Sequence, residues 1–507
     1  MNDTELALVN CQVVTPGSTY PAVLYLRDGK IAKIADRLEE RPARALDVGG
    51  RYVMPGLIDC HVHMMDPGYP ECEDFIAGTS AAAKSGVTTI LDVPRHLPPV
   101  DSAKRVEEQK GYLADRAVVN YGVFAAVYPY NLDSVEEMWR AGAVGLKVFT
   151  VEIHETPPLM PGDLMKLFGL ASEFGGAILL HAEDDSIVKA NEARLRASGR
   201  RDPMLHAEMH SPEAQVLAVE AVCSVAELSL GGSARLVFAH LSDPLCLHRV
   251  ARAREKGTPV FAETMPHYLY LTYEDLRERG PWVKFAPTVR SPGTVAEMWR
   301  CLGRGLVHLV STDHAPQPAR LIRPGEEDIW KSPLVTGSNI EVGSRLMLHA
   351  VNEGKISLNQ LAQLMSAGPA RIYGLYPRKG AIQVGADADL VVVDLEREET
   401  VRPGGLVSKG GWTMYDGRTL KGAPVMTLVR GRVVYEEGRV TGEAGWGRYV
   451  APGRGVKPFG RPLPGGDECV SVQGVSGFGR PPFRRASSFS RRRCSKREKE
   501  TGLAQLR

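Results

Sequence analysis

Two histidines separated by one residue, His61 and His63, closely follow the apolar run at residues 53–58. Successive side chains alternate between the two faces of a β-strand, so both imidazoles would point the same way from the strand end. Paired imidazoles at the mouth of a buried strand suit a metal ion. Two ordinary loop histidines are the simpler interpretation, and the pair alone does not decide between them.

Matching chemistry recurs after later apolar runs, at residues that would also lie at strand ends: Lys147, His181, His240 and Asp313. Each has an ordinary explanation. A strand-end histidine can be a hydrogen-bonded core residue, a buried lysine can pair with a carboxylate, and an aspartate before His-Ala-Pro can cap a helix. Five such coincidences at the ends of five separate strands are improbable, so the pattern favours one shared site.

The elements that must position these residues alternate between strand and helix. Strands are predicted at residues 57–60, 87–93, 118–127, 144–149, 177–181, 234–240, 259–263 and 307–312. Helices are predicted between several of them, at residues 75–84, 134–140, 162–174, 212–228 and 246–256. This α/β pattern favours a (β/α)8, TIM-like barrel, in which functional residues collect at the C-terminal ends of the strands. An open doubly wound sheet is the alternative, but its glycine-rich turn after the first strand is missing.

Short β-strands also precede and follow the barrel pattern. Hairpin-like runs occupy residues 5–54, and strands return around residues 388–394 and 425–429. We expect the two ends to combine into a small β-sandwich domain. The predicted organisation is residues 1–54 and 379–450 for the sandwich, 55–378 for the barrel, and 451–507 for a disordered basic tail.

Composition and charge limit the possible functions. Of the 507 residues, 43% are apolar and 24% charged, as in ordinary globular proteins. No apolar run approaches the roughly 20 residues of a membrane span, and the first residues lack a secretory signal pattern. Eight cysteines without a CxxC pair do not suggest disulfides. The predicted location is the cytoplasm.

The net charge of +2 is unevenly distributed. Residues 451–507 contain 13 Lys or Arg against 4 Asp or Glu, so the rest of the chain is mildly acidic. We therefore expect no nucleic-acid or membrane partner for the folded part. The tail could contact acidic surfaces, although a dispensable extension is the simpler interpretation.

Lys147 is the most informative of these residues, because a cationic ammonium gains little beside bound cations. Reaction with carbon dioxide would turn its amine into an anionic carbamate that can bridge two metal ions. Nitrogen and oxygen ligands without thiolate fit Zn²⁺ best, with Mn²⁺, Co²⁺ or Fe²⁺ as alternatives. Two divalent ions held in this way would lower the pKa of a bound water and polarise a carbonyl group.

Six segments together carry a resemblance to a known family. They are residues 55–63 (PGLIDCHVH), Lys147, residues 181–183 (HAE), 239–242 (AHLS), 263–268 (ETMPHY) and 311–316 (STDHAP). In this order they resemble the cyclic amidohydrolases, which include the dihydroorotases, allantoinases and hydantoinases (dihydropyrimidinases). The resemblance extends from about residue 5 to 440.

The resemblance implies a binuclear metal centre. His61 and His63 would bind one ion together with Asp313, His181 and His240 would bind the second, and carbamylated Lys147 would bridge them. Asp313 would also act as the catalytic base. The implied reaction is the hydrolytic opening of a cyclic amide, or its reversal, by a homo-oligomer, either a dimer or a tetramer.

The substrate ring is less clear from the sequence. Dihydroorotases carry an arginine where this chain has Met65, and hydantoinases carry a tyrosine where it has Glu152. The substrate contacts we expect are Arg95, which could bind a carboxylate, together with His267 and Asn339. A cyclic ureide resembling allantoin or hydantoin is favoured, with dihydroorotate as the alternative. A non-catalytic scaffold related to the family is a third possibility, although all six ligand positions are filled.

Overall fold

The computed structural model describes residues 5–39, 41–153 and 156–453, and within these ranges the strands form two sheets. The predicted tail at 451–507 lies outside the described residues beyond residue 453. The strands are β1 Leu6–Val14, β2 Thr19–Arg27, β3 Lys30–Ala35, β4 Arg44–Asp47, β5 Tyr52–Pro55, β6 Leu57–Val62, β7 Val87–Asp92, β8 Asn120–Ala126, β9 Gly145–Phe149, β10 Ala177–His181, β11 Arg235–Phe238, β12 Val260–Thr264, β13 Leu309–Val310, β14 Leu390–Thr400, β15 Thr419–Val429, β16 Arg432–Glu436 and β17 Arg439–Val440.

The helices lie mainly between the barrel strands. They are α1 Phe75–Lys84, α2 Ala103–Leu113, α3 Val135–Arg140, α4 Pro161–Phe174, α5 Asp185–Ala197, α6 Met204–Met209, α7 Pro212–Ser229, α8 Pro244–Glu255, α9 Pro266–Tyr270, α10 Tyr273–Arg279, α11 Pro292–Gly303, α12 Ala319–Ile322, α13 Ile340–Asn352, α14 Leu358–Ala362 and α15 Gly368–Ile372. Among the helices that the structure describes, none combines the length and the apolar character needed to cross a membrane.

Strands β6 to β13 form an eight-stranded parallel sheet in sequence order. The sheet closes where Val62 pairs with His314, and the His63 amide donates to the His314 carbonyl oxygen at 2.7 Å. Buried side chains such as Leu91, Leu179 and Val237 fill the interior. The predicted barrel is therefore confirmed, with helices covering its outer surface.

The strands from the two chain ends form one hydrogen-bonded sheet. Its order is β17-β16-β15-β14-β5-β1-β2-β3, with β4 paired to β1. The antiparallel pair of β5 and β14 joins the N-terminal strands to the C-terminal ones. In β14, Leu390 and Val392 enter the core of this sheet, while Val391 and Val393 join the core around the barrel. Because side chains alternate along β14, this one strand packs both in the core of its own sheet and in the core around the barrel.

Gly56 marks the point where the chain passes from this sheet into the barrel. A side chain here would collide with Thr88, since a Cβ atom would lie 2.2 Å from Thr88 Oγ1. The apolar run at residues 53–58 is therefore two strands rather than one, with Val53 in β5 and Ile58 in β6. The break sets the position of β6, which ends next to His63.

Candidate active site

A cavity of about 720 Å³ opens at the C-terminal ends of the barrel strands. All six predicted metal ligands line it: His61, His63, Lys147, His181, His240 and Asp313. They come from the ends of β6, β9, β10, β11 and β13 or from the residues just beyond. Side chains separated by as many as 252 positions in the sequence thus share one cavity because parallel strands end on the same side of the barrel.

His61, His63 and Asp313 form the tightest group. Asp313 Oδ1 lies 3.4 Å from His61 Nε2 and 3.2 Å from His63 Nε2. The other ring nitrogens are already engaged: His61 Nδ1 donates to Glu263 Oε2 at 2.9 Å, and His63 Nδ1 donates to the Val93 carbonyl oxygen at 3.0 Å. Each ring therefore offers the lone pair of Nε2 to the cavity, which is the arrangement found in metal-bound histidines.

His181 and His240 form a second pair, with ring centroids 4.5 Å apart. His181 Nε2 lies 2.8 Å from Glu183 Oε2, which leaves Nδ1 as its available donor atom. His240 Nδ1 is buried and has no hydrogen-bond partner among the described residues. His240 and Asp313 also adopt positive φ angles of 39° and 49°, a strained conformation for residues other than glycine. Such strain is common where a site demands a particular side-chain direction.

Lys147 is buried, with 2% of its surface exposed, and its Nζ lies 4.9 Å from the centre of the Phe149 ring. It makes no hydrogen bond or ion pair with any residue in the described ranges. Burial lowers the pKa of this amine to about 8, although Asp313 and Glu263 partly oppose the shift. A fraction of the amine is therefore neutral near physiological pH.

The histidines and the aspartate respond to burial in different ways. Burial lowers the pKa of His63 to about 4 and also lowers the pKa of His181 and His240, so these rings are neutral. Burial raises the pKa of Asp313, but the positive charge that His61 and His63 carry when protonated lowers it, and the balance lies well below its usual range. The site thus combines neutral nitrogen donors with one carboxylate anion.

Three buried carboxylates support the site from behind, and the sequence interpretation gave none of them a role. Glu263 accepts hydrogen bonds from His61 Nδ1, from the His240 amide at 3.1 Å and from Ser311 Oγ. Glu183 contacts His181, and Asp59 accepts hydrogen bonds from the amide and hydroxyl of Thr312 at 3.1 and 2.6 Å. A carboxylate inside an apolar strand is the sequence signal that identifies Asp59 and Glu263.

The three predicted substrate contacts occupy different positions. Arg95 lines the cavity and has no hydrogen bond or ion pair with another described residue. His267 and Asn339 are buried outside the cavity lining, with Asn339 Nδ2 3.4 Å from His267 Nδ1. His267 Nε2 and Asn339 Oδ1 are left without a partner among described groups. Their contact with substrate stays a prediction.

Aromatic and apolar side chains line part of the outer cavity, beside the charged Glu71 and Arg95. Tyr128 and Tyr130 stack with ring centroids 5.2 Å apart, and Tyr69, Phe149 and Leu97 line the same space. Tyr130 and Leu97 are exposed despite their size. The cavity therefore combines a polar floor with a partly aromatic entrance, which suits a small polar ring with a bulkier substituent.

Comparison with known proteins agrees with this geometry. The chain is 33% identical over 454 residues to an L-hydantoinase of Paenarthrobacter aurescens, covering 88% of this chain and 98% of the relative. It is 32% identical over 446 residues to an allantoinase of Streptomyces avermitilis, covering 87% and 98%. The solved structure of L-hydantoinase (dihydropyrimidinase) from Arthrobacter aurescens superimposes with a TM-score of 0.86 at 31% identity, covering 88% of this chain and all of that one.

A profile of the amidohydrolase family matches residues 52–434, which include the barrel and the joining strands β5, β14 and β15. This range contains every residue of the cavity floor described above. The chain belongs to the amidohydrolase family.

Proposed function

We propose that the protein is a binuclear metal-dependent hydrolase that opens the cyclic amide bond of a cyclic ureide of the hydantoin or allantoin type. The observation that carries the proposal is the meeting of four imidazoles, one carboxylate and one unpaired lysine in a single cavity. The relatives named hydantoinase and allantoinase support the same reaction class, since the match with this chain covers nearly the whole length of each relative.

The donor set fits two divalent metal ions. His61, His63 and Asp313 offer ligand atoms that all lie within 4.8 Å of one another, as expected around one ion. His181 and the buried, unpaired His240 provide donors for a second ion. Nitrogen and oxygen donors favour Zn²⁺, with Mn²⁺, Co²⁺ or Fe²⁺ as alternatives. When bound, the ions would supply Lewis-acid chemistry and a water of lowered pKa.

Lys147 would complete the site as a carbamate. The ammonium first loses one proton, and the neutral amine then attacks carbon dioxide, forming a nitrogen–carbon bond while one C=O π bond opens and a second proton leaves. The side chain thereby changes from a cation to an anion. Other buried lysines in this protein are paired: Lys284 donates to two carbonyl oxygens, and Lys379 pairs with Asp387 and Asp389. Lys147 alone among these three has no partner in the described structure, which supports its conversion into a ligand.

Asp313 would carry the proton. Its Oδ1 lies in the cavity beside His61 and His63, where it could accept a proton from the attacking water and deliver it to the departing ring nitrogen. Asp59 holds the preceding residue, Thr312, through two hydrogen bonds and thereby fixes the turn in which Asp313 lies. The aromatic side chains at the entrance would limit the access of bulk water to the ring during this transfer.

Arg95, His267 and Asn339 would contact the substrate. Arg95 is already in the cavity wall. The unpaired His267 Nε2 and Asn339 Oδ1 are buried polar atoms of the kind that a ligand or water satisfies. The Arg95 guanidinium in the cavity, which has no partner among the described residues, also favours one alternative function. A dihydroorotase would use it to bind the carboxylate on the ring of its substrate. A non-catalytic scaffold is disfavoured by the filled set of six ligand positions.

Hydrolysis assays on purified, metal-loaded protein test the proposal. We expect ring opening of hydantoin, dihydrouracil or allantoin, with dihydroorotate as the discriminating fourth substrate. Elemental analysis of the same sample should give two divalent ions per chain. Absence of both metal and hydrolysis would favour the scaffold instead. The cytoplasmic location and the homo-oligomer remain predictions, which fractionation and light scattering can check.

A further inference from the structure

A second cavity, of about 280 Å³, lies near the starts of β12 and β13, at the opposite end of these strands from the catalytic residues. Phe261 near the start of β12 and His308 just before β13 form part of its wall, and α15 covers another side. Its polar lining residues include Arg254, Arg371, Gln360 and Gln363. No carboxylate is found among the described residues that line it.

Arg254 reaches this cavity from the last turn of α8. Its Nη1 donates to the Val260 carbonyl oxygen at 2.9 Å, and its guanidinium lies 4.4 Å from the centre of the Phe261 ring. It forms no ion pair with a described residue. Burial lowers its pKa to about 10, and no carboxylate opposes that shift. The charge is therefore partly desolvated without a counter-charge, which is unfavourable unless an anion binds.

Arg371 faces the same cavity from α15. Its Nη1 donates to Gln363 Oε1 at 3.2 Å, and its guanidinium lies 4.5 Å from the centre of the Tyr376 ring. It too lacks an ion pair within the described part of the chain. A guanidinium has five N–H donors, so each of these two arginines keeps several for a ligand.

The neutral groups in the wall also present donors. The Ala262 amide donates to His308 Nδ1 at 3.0 Å, which places the proton of this neutral ring on Nε2. Gln360 Oε1 accepts from the Ser357 amide at 2.8 Å, and Gln363 Oε1 accepts from Arg371. Both glutamines have therefore used their acceptor atoms and keep their NH₂ groups. The wall offers donors and positive charge.

We propose that this cavity binds a small oxyanion, a phosphate or carboxylate group of a metabolite, between Arg254 and Arg371. Charge-assisted hydrogen bonds from guanidinium groups to such oxygens are short and strong, and planar forks match their geometry. His308 Nε2–H and the two glutamine amides would complete the ligand's hydrogen bonds. The site is separate from the catalytic cavity but adjoins the same strands, since His308 and Asp313 flank β13.

Calorimetric titration of the full-length, metal-loaded protein with inorganic phosphate tests the proposal, and acetate in a parallel titration distinguishes a carboxylate from a phosphate. We expect one saturable site for at least one of the two anions. Arg254→Gln and Arg371→Gln should each weaken binding by about tenfold or more. Arg252→Gln, which removes an exposed charge from the same turn of α8, is the matched control and should leave binding unchanged.

Gln363→Glu keeps the acceptor for Arg371 and adds a carboxylate to the cavity. This variant should fold normally, lose phosphate binding and no longer gain thermal stability from phosphate, whereas the wild type gains it. Gln363→Glu therefore tests the same anion site if Arg254→Gln does not fold. Because phosphate could also bind at catalytic metals, Lys147→Ala, which is expected to lose those metals, is titrated in parallel and should keep the saturable site. Binding that survives the arginine variants and Gln363→Glu, or no saturable binding of either anion, would overturn the proposal.

Discussion

The two ends of the barrel present opposite chemistry on the same strands. At the C-terminal end of β12 and β13, Glu263 and Asp313 stand among imidazoles with free lone pairs. At the start of these strands, Phe261 and His308 stand among guanidinium and amide groups whose remaining atoms are donors. One end is thus built for cations and the other for anions. The difference shows that the scaffold itself does not fix the chemistry, which depends on the side chains at each strand end.

Substitution of Lys147 is expected to have the largest effect on metal binding and activity at the C-terminal end of the barrel. Lys147→Ala is expected to abolish activity and metal binding, because the proposed carbamate ligand could no longer form. Acetate or another short carboxylate should restore part of both by occupying the vacated space. Elemental analysis and hydrolysis assays with and without acetate provide the measurement.

Lys284 is the matched control for Lys147. It is also buried with a pKa lowered to about 8, but it donates to the carbonyl oxygens of Ile329 and Ser332. Lys284→Ala should lower the free energy of unfolding by about 1–3 kcal/mol while leaving metal content unchanged and insensitive to acetate. Equal effects of the two substitutions on metal content would mean that buried lysines matter only for stability.

The next largest effect is expected from Asp313, the proposed proton carrier at the C-terminal end of the barrel. Asp313→Asn should keep the fold but reduce kcat by about 10²–10⁴-fold, as expected when a general base is lost. Steady-state kinetics and circular dichroism measure these two properties. Asp133→Asn changes an exposed carboxylate that pairs with Lys166 and serves as the control. A rate close to that of the wild type would remove Asp313 from the proton transfer.

A smaller effect should follow from the residue behind His61. Glu263→Gln weakens the hydrogen bond that orients this imidazole, so we expect a loss of about 10–100-fold in metal affinity. Competition with a chelator measures the affinity. Glu341→Gln alters another buried carboxylate, which binds the Val407 and Ser408 amides and Lys84 away from the catalytic cavity, and should leave the affinity unchanged. If both variants lose metal equally, the orientation argument fails.

The smallest effect is expected from the chain beyond residue 453. Removing residues 454–507 should leave kcat/KM and metal content unchanged, because the sequence there lacks apolar periodicity and all six predicted metal ligands precede it. Assays on the shortened chain check this. A loss of folding or activity would show that this segment contributes to the fold or to the catalytic site.

Local patterns predicted most of the barrel. The helix at residues 75–84 and the strand at 177–181 have the predicted bounds. In the structure Asp74 caps the start of the helix, and the strand is a continuous buried run that ends at His181. The strand predicted at 307–312 is shorter, with β13 spanning only Leu309–Val310. The chain turns away after Val310, where Asp59 binds the Thr312 amide and Asp313 takes a positive φ angle.

Contacts between distant residues were harder to predict. Glu263 meets His61 across 202 positions, and nothing local to either residue indicates the pair. The donor-rich cavity was missed for a similar reason: Arg254, His308 and Arg371 lie in separate elements, and their significance depends on the absence of a carboxylate in the described lining. Only the folded arrangement shows which charges are left without a partner.

The most direct test of the account is anomalous X-ray diffraction from crystals of the metal-loaded protein. We predict two peaks about 3.5–4 Å apart on the cavity floor, with density for a carboxylate extending from Lys147 Nζ between them. His61, His63 and Asp313 should surround one peak, and His181 and His240 the other. A single peak, peaks elsewhere, or a Lys147 side chain that ends at its amine would contradict the central claim.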